Sequence, residues 1–464
     1  MSTKYFHHAL KFRKEVCIGC SHCMNVCPTQ AIRIKRGKAE LMDNHCVDCG
    51  KCYRACPVGA IIVEQDDFNQ IFRYKQRVAL IPSVLMAQFP ENVSLTQVSS
   101  VLMELGFTHI YEVEQGAEVL KDQMARYINE KDNDMPLMST FCPAIVRLIQ
   151  VRFPTLTENL MLLKAPLDVS ASYYNKMLLD EGHDAEDIGI FYITPCAAKI
   201  AAVKSPVGQE DSPITGVINM DFIFNKVYTA VKQGFIGKNT CHIPRMDPVK
   251  SYAVTWSATN GEAACMPGRT LAIDEISNVI EFLEQLENKE KHDIDFLELR
   301  ACDESCAGGI LTSSNRFYAV ERLRKRAADA EKKRKEGLIP YNTAGPIVEY
   351  SGFLQENIGI GKIQPRSMDK LDEDIGEAMK KMKRVHELMD TLPYVDCGLC
   401  GSPKCSSLAE DIVQGQASIT QCIYVQKRME QEGSITAAES MEIMQKIWGS
   451  EKFEQKNNAK EIKQ

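Results

Sequence analysis

The sequence predicts an α/β protein. Its main domain is built of βαβ units with parallel sheets, an α+β cysteine-rich module precedes it, and a small helical cysteine-rich module follows. Three observations carry that prediction. From about residue 76, strand-like and helix-like segments alternate, which is the rhythm of a largely parallel sheet. One cysteine run occurs twice within the first 57 residues. A further cysteine cluster, at 397–422, follows a polar stretch with apolar residues at helical spacing.

The chain has 464 residues, enough for two or three domains, with 25 % charged and 44 % hydrophobic residues. A net charge of −7 argues against nucleic acid and against an anionic membrane surface as partners. The opening "MSTKYFHHALKFRKE" has no apolar secretory core, and stretches such as "VALIPSVLMAQF" are too short to span a bilayer, so a cytoplasmic location is expected. Eighteen cysteines in such a chain point to metal rather than disulfides. The expected organisation is 1–75, 76–365, 366–445 and a disordered tail at 446–464.

The first module is an internal repeat. "CIGCSHCMNVCP" at 17–28 returns as "CVDCGKCYRACP" at 46–57, each reading C-x2-C-x2-C-x3-C-P. This resembles two-cluster bacterial ferredoxins, in which the fourth cysteine crosses to the other cluster. The resemblance implies one [4Fe–4S] cluster on Cys17, Cys20, Cys23 and Cys56, and another on Cys46, Cys49, Cys52 and Cys27. Zinc sites do not need this doubled, cross-ligated pattern.

In the central region, "QRVALIPSV", "HIYEVE", "PLMST", "DIGIFYIT" and "DFLELR" read as strands, and "SLTQVSSVLMELG" and "AEVLKDQMARYIN" as helices. Cysteines follow three of the strands: Cys142 after "PLMST", Cys196 after "FYIT", and Cys302 with Cys306 after "FLELR". The carboxyl ends of parallel strands line one crevice, so these four residues are expected to meet there. The basic run "RLRKRAADAEKKRKEG" reads as a solvated helix face.

Those loops, "STFCPAI", "TPCAAKIAA" and "ELRACDESCAGG", resemble the signature loops of the [FeFe]-hydrogenase active-site domain, and "NGEAACMPGRT" resembles another stretch of it. The likeness covers roughly residues 1–365 with the ferredoxin module. It implies an H-cluster: a [4Fe–4S] cubane on Cys142, Cys196, Cys302 and Cys306, with Cys306 bridging to a two-iron subcluster carrying CO, cyanide and a bridging dithiolate. Lys199 matches the family's lysine that hydrogen-bonds a cyanide. Departures are equally specific. Phe141 stands where catalytic members carry a proton-passing cysteine. Thr194 and Arg300 replace methionines, Ala202 replaces the lysine's glutamate, and Ile145 replaces a tryptophan. Glu262 and Cys265 are candidates for a substitute proton route, because a partly buried carboxyl can be raised toward neutral pKa.

The last cysteines, Cys397, Cys400, Cys405 and Cys422, read C-x2-C-x4-C-x16-C. They resemble the small Fe–S module of corrinoid iron–sulfur proteins, which implies a further [4Fe–4S] cluster; zinc remains an alternative. Four quartets leave Cys241 and Cys265 over.

The departures resemble the divergent groups of the family regarded as H2 sensors, here without a PAS-like segment. Slow, reversible splitting of H2 with a redox or regulatory output is the implied function. The implied partners are H2, protons, hydrogenase maturation proteins, and a redox or signalling protein such as a kinase or phosphatase. The alternatives are a metabolic ferredoxin-linked hydrogenase and an Fe–S assembly relative that lacks the two-iron subcluster.

Overall fold

The computed structural model describes residues 6–130, 135–209, 212–234, 249–288, 293–337, 346–366, 371–372 and 374–454. The chain divides into two compact units. The first holds Met1–Ala9, Val47–Cys49 and Val63–Arg366; the second holds Leu10–Cys46, Gly50–Ile62 and Ser367–Gln464.

The first unit is α/β with two parallel sheets. One has four strands in the order β2 (His109–Glu112), β1 (Gln76–Ile81), β4 (Ile188–Thr194), β5 (Gly216–Asn219). Every neighbouring pair is parallel, with Val78 beside both His109 and Ile190, and Ile193 beside Ile218. All seven residues of β4 are buried, as expected for a parallel strand covered on both faces. The other sheet has three strands in the order β6 (Thr270–Ile273), β7 (Phe296–Leu299), β3 (Leu137–Met138), again parallel.

The helices form where their patterning places them. Helix α1 (Leu95–Glu104) opens on a capping box: the Ser94 hydroxyl accepts from the Gln97 N–H, and the Gln97 side chain accepts from the Ser94 N–H. Helix α2 (Ala117–Asn129) buries Val119, Leu120, Met124 and Ile128 on one stripe. Helix α3 (Pro143–Arg152) starts with proline at its first position, where the missing N–H costs nothing. Helix α4 (Ala197–Lys204) follows β4, and helix α5 (Arg316–Lys335) carries the basic run. Ala319, Val320 and Leu323 of α5 are buried; Arg324, Lys325, Lys332, Lys333 and Lys335 are exposed, whereas Arg326 pairs with buried Glu112 at 2.6 Å and Arg322 donates to Ala87 O at 3.0 Å, so the basic run is solvated only in part.

The three cysteine-bearing strands do not belong to one sheet. β4 lies in the four-stranded sheet, while β3 and β7 are paired in the three-stranded one. The expected single crevice is therefore a meeting of loops from two sheets. One apolar cluster spans them, with Met138, Ile145, Leu148, Ala198, Leu297 and Ala301 at its centre. Cys142, Cys196 and Cys49 pack against it.

In the second unit, an antiparallel hairpin pairs Ile32–Lys35 with Lys38–Leu41. The C-terminal helices of this unit bury Leu388, Leu392, Leu408, Ala409 and Val425 with Cys405 and Cys422. The repeat and the C-terminal module share this unit because buried polar groups join them. Arg33 donates from Nε and Nη2 to the two Asp411 oxygens at 2.6 and 3.1 Å, and Ile34 N donates to Gly401 O at 2.8 Å. Helix Ala437–Trp448 runs on past residue 446, with Ile447 buried and its carbonyl accepting from Gly37 N at 2.8 Å. A disordered tail from 446 is thus corrected for 446–454; residues 455–464 lie outside the described residues. Among the described residues, no helix is long and apolar enough to cross a membrane.

Candidate metal centre

Each cysteine of the first unit sits where local structure aims it. Cys142 and Cys196 are the N-cap residues of α3 and α4. Helix N-termini favour negative charge, which suits thiolates. The Thr194 hydroxyl, wholly buried, donates to Cys196 O at 3.0 Å and accepts from Cys196 N at 3.3 Å, which fixes the turn after β4. Cys302 and Cys306 follow β7 on a loop in which Glu304 and Ser305 take positive φ, 60° and 52°. The Gly-Gly pair behind them is required by close approach. A Cβ on Gly308 would meet Asp303 O at 1.8 Å, and one on Gly309 would meet Pro195 O at 2.5 Å. The Gly309 approach is the seam between the third loop and the second, and Leu311 N donating to Pro195 O at 3.0 Å closes it.

Three of the four thiols of these loops come within reach of one another. Cys196, Cys306 and Cys142 feel one another electrostatically; burial pushes Cys196 up to about 12 and raises Cys306 as well. Among the described residues every cysteine is free of a disulfide. Buried free thiols at such a meeting point are poor acids alone and give up their protons to a metal's positive charge.

Lys199 is 7 % exposed in the middle of this set. Its ammonium lies 3.3 Å from the Tyr192 hydroxyl and 4.5 Å from the centre of the Phe141 ring. Burial alone would lower its pKa, and Tyr192, Cys306 and Cys196 raise it against that burial. Beside it is a cavity of about 80 Å³ lined by Phe141, Lys199, Ala202, Lys164 and Asp168. Burial raises the Asp168 carboxyl to about 6, against the pull of Lys164 and Lys199.

The segment "NGEAACMPG" also comes to this site. Ser139 Oγ donates to Glu262 Oε2 at 2.6 Å, and Arg300 Nη2 donates to the same oxygen at 3.0 Å. Glu298 accepts from Arg300 Nε at 3.2 Å and from the backbone N–H groups of Asn260, Glu262 and Ala263. Burial pushes Glu262 up to about 7 despite Arg300. Two carboxyls thus share one guanidinium, and Glu298 has the richer set of donors. Cys265 stands apart: its thiol is half-buried, raised by burial, and 3.4 Å from Gly261 O. Cys241 lies outside the described residues.

Sequence reasoning named Arg300 only as a substitution and missed Tyr192, Ser139, Glu298, Asp168 and Glu114. Glu114 is buried beside Glu112, is raised to about 7 by that burial, and acts on both Lys199 and Cys306. Its signal in "EVEQGAEVL" was two acidic residues at a strand end, which no spacing rule distinguishes from a solvated turn.

In the second unit, Cys17, Cys20, Cys23 and Cys56 line one small apolar hollow, and Cys23 is pushed up to about 12 by burial and by the other three. This is the crossed set expected from the repeat. Burial, with Cys397 and Cys422 nearby, pushes the Cys400 thiol up to about 11, and Asp396 accepts from Cys405 N at 2.7 Å.

The residues fit the groups that the motifs imply. Beside the third loop, Arg300 Nη1, Ser305 Oγ and Ser257 Oγ are buried donors with no hydrogen-bond partner among the described residues. Leaving buried donors unpaired costs about 1–3 kcal/mol each, so such a set suits an acceptor-rich group held by the neighbouring thiolates.

Three stretches of the chain match known family models. Residues 75–225 match the family model "Iron only hydrogenase large subunit, C-terminal domain", 9–57 match a 4Fe-4S dicluster domain, and 392–424 match the FeS cluster family. Iron hydrogenase 1 of Clostridium pasteurianum is 23 % identical over 294 residues, 60 % of this chain and 47 % of that protein. The NADP-reducing hydrogenase subunit HndD of Solidesulfovibrio fructosivorans is 23 % identical over 222 residues, 45 % and 34 % of the two chains. This chain thus spans half or less of the length of these curated relatives. Among solved structures, an [FeFe]-hydrogenase HydA1 from Chlamydomonas reinhardtii is similar with a TM-score of 0.45 and 13 % identity, over 65 % of this chain and 98 % of that one. The class defined here is an iron–sulfur protein. Its central domain is similar to that of the iron-only hydrogenases.

Proposed function

We propose that this chain splits H2 reversibly and slowly, as a sensor whose output is redox or regulatory rather than metabolic. Cys142, Cys196, Cys302 and Cys306 would hold the cubane, and Cys306 would bridge to the two-iron subcluster. That subcluster, when bound, supplies the chemistry of heterolytic H2 cleavage. The observation that carries the reading is Lys199, an ammonium buried beside the thiols of Cys196 and Cys306, where the carboxyls that act on it, Asp168 and Glu114, are both raised toward their neutral form by burial. A buried charge of this kind is costly unless an anion meets it, and a cyanide ligand is such an anion. Low turnover follows from Phe141. The Ser139 hydroxyl donates to Glu262 and accepts the Phe141 backbone N–H at 3.1 Å, so this contact puts no titratable side chain between Glu262 and the position of Phe141. Glu262 is the proposed proton station and Cys265 its weaker substitute. The ferredoxin-type quartets and the C-terminal quartet would carry the electrons.

The test is H2 oxidation and evolution by protein loaded with the two-iron subcluster. Measurable but slow turnover, depressed further in Glu262→Gln, is expected. Rapid H2 production from a reduced mediator would favour a metabolic hydrogenase, and none at all with a fully loaded site would remove the H2 reading.

A further inference from the structure

We infer that Arg300 is a positioning residue for the cubane: a second fixed cation, locked by two glutamates, that donates its free N–H toward the cluster and raises the cluster's reduction potential. The inference rests on the quartet Cys142, Cys196, Cys302 and Cys306 holding a cubane, but not on the two-iron subcluster being present.

Four observations carry it. Arg300 is 1 % exposed, and it lies two residues before Cys302. Its Nε and Nη2 are both engaged, with Glu298 at 3.2 Å and Glu262 at 3.0 Å, so the guanidinium cannot turn. Its Nη1 is buried and has no partner among the described residues. Its charge acts on the thiols of Cys306 and Cys142, and its guanidinium carbon lies 3.9 Å from the centre of the Phe141 ring that Lys199 also approaches.

Buried polar groups are paired as a rule. Here the two carboxylates take one side, and the remaining donor is left for whatever sits among the thiolates. Glu298 is in turn held by three backbone N–H groups, so the lock is rigid. A fixed positive charge and an N–H donor both favour the more negative, reduced state of an iron–sulfur cluster, and hydrogen bonding to its sulfurs raises the potential.

The test uses the full chain with its cubanes and without the two-iron subcluster. The signal of this cubane is identified by its loss in Cys196→Ser. With ¹⁵N-arginine in otherwise native protein, the reduced cubane should show a weak ¹⁵N hyperfine coupling, absent in Arg300→Lys. Arg300→Met should lower the potential of this signal alone, and Arg300→Lys, which keeps the charge, should restore most of it. Arg300→Met/Glu262→Gln serves if the single variant does not fold. A cubane with no arginine ¹⁵N coupling, or one whose potential is unmoved in Arg300→Met, would overturn the inference. If Cys196→Ser removes no cluster signal, the quartet is wrong, and the inference is overturned with it.

Discussion

Replacing Glu262 by glutamine probes the charge balance beside the third loop. Glu262 is 3 % exposed, and burial pushes its carboxyl from an ordinary 4.5 up to about 7, with Arg300 pulling the other way. Its folded pKa is the higher one, so between about pH 4.5 and 7 the native state binds a proton that the unfolded chain has released. Stability therefore falls as pH rises through that window. A gap of about 2.5 pH units at 1.36 kcal/mol each sets the change at about 3 kcal/mol. Glutamine has no such proton to lose, and its carbonyl can still accept from Ser139 and Arg300. The wild type should thus lose stability relative to Glu262→Gln as pH rises, most steeply near pH 6, midway between the two values, and no further well above pH 7. Anaerobic urea midpoints of both proteins at about pH 5.5, 6.5 and 7.5 measure this. A difference independent of pH, or one growing in the wild type's favour, would refute the reasoning.

Arg33→Met should destabilise the second unit by about 3–5 kcal/mol, because it strands the buried Asp411 carboxylate, with urea unfolding as the measure. Gly309→Ala places a Cβ 2.5 Å from Pro195 O and should cost the protein this cubane while the ferredoxin-type clusters stay, as iron content and EPR would report. Cys306→Ser should abolish retention of the two-iron subcluster with those same clusters intact; surviving CO bands would show that the bridge lies elsewhere.

The 4Fe-4S dicluster domain at 9–57 was legible because its spacing is local and doubled: a run of C-x2-C-x2-C-x3-C-P marks it without needing a fold. The strands before Cys142, Cys196 and Cys302 were legible as apolar runs, and all three formed. Their division between two sheets was not, because pairing partners such as Leu137 and Phe296 are far apart in sequence and carry no local mark. Arg300 shows the same limit within the site. Its two glutamates lie on different segments, and only the folded chain brings Glu262 to it. The segment around Trp448 read as a polar tail, because the surface that buries Ile447 lies some 400 residues earlier, at Gly37.

Infrared spectroscopy of protein matured with hydrogenase assembly factors tests the central claim most directly. The account predicts bands of CO and cyanide that shift in Lys199→Met, where the ammonium is lost from the site. A matured protein with all its cubanes and no such bands would contradict it, and would leave the chain an iron–sulfur protein without H2 chemistry.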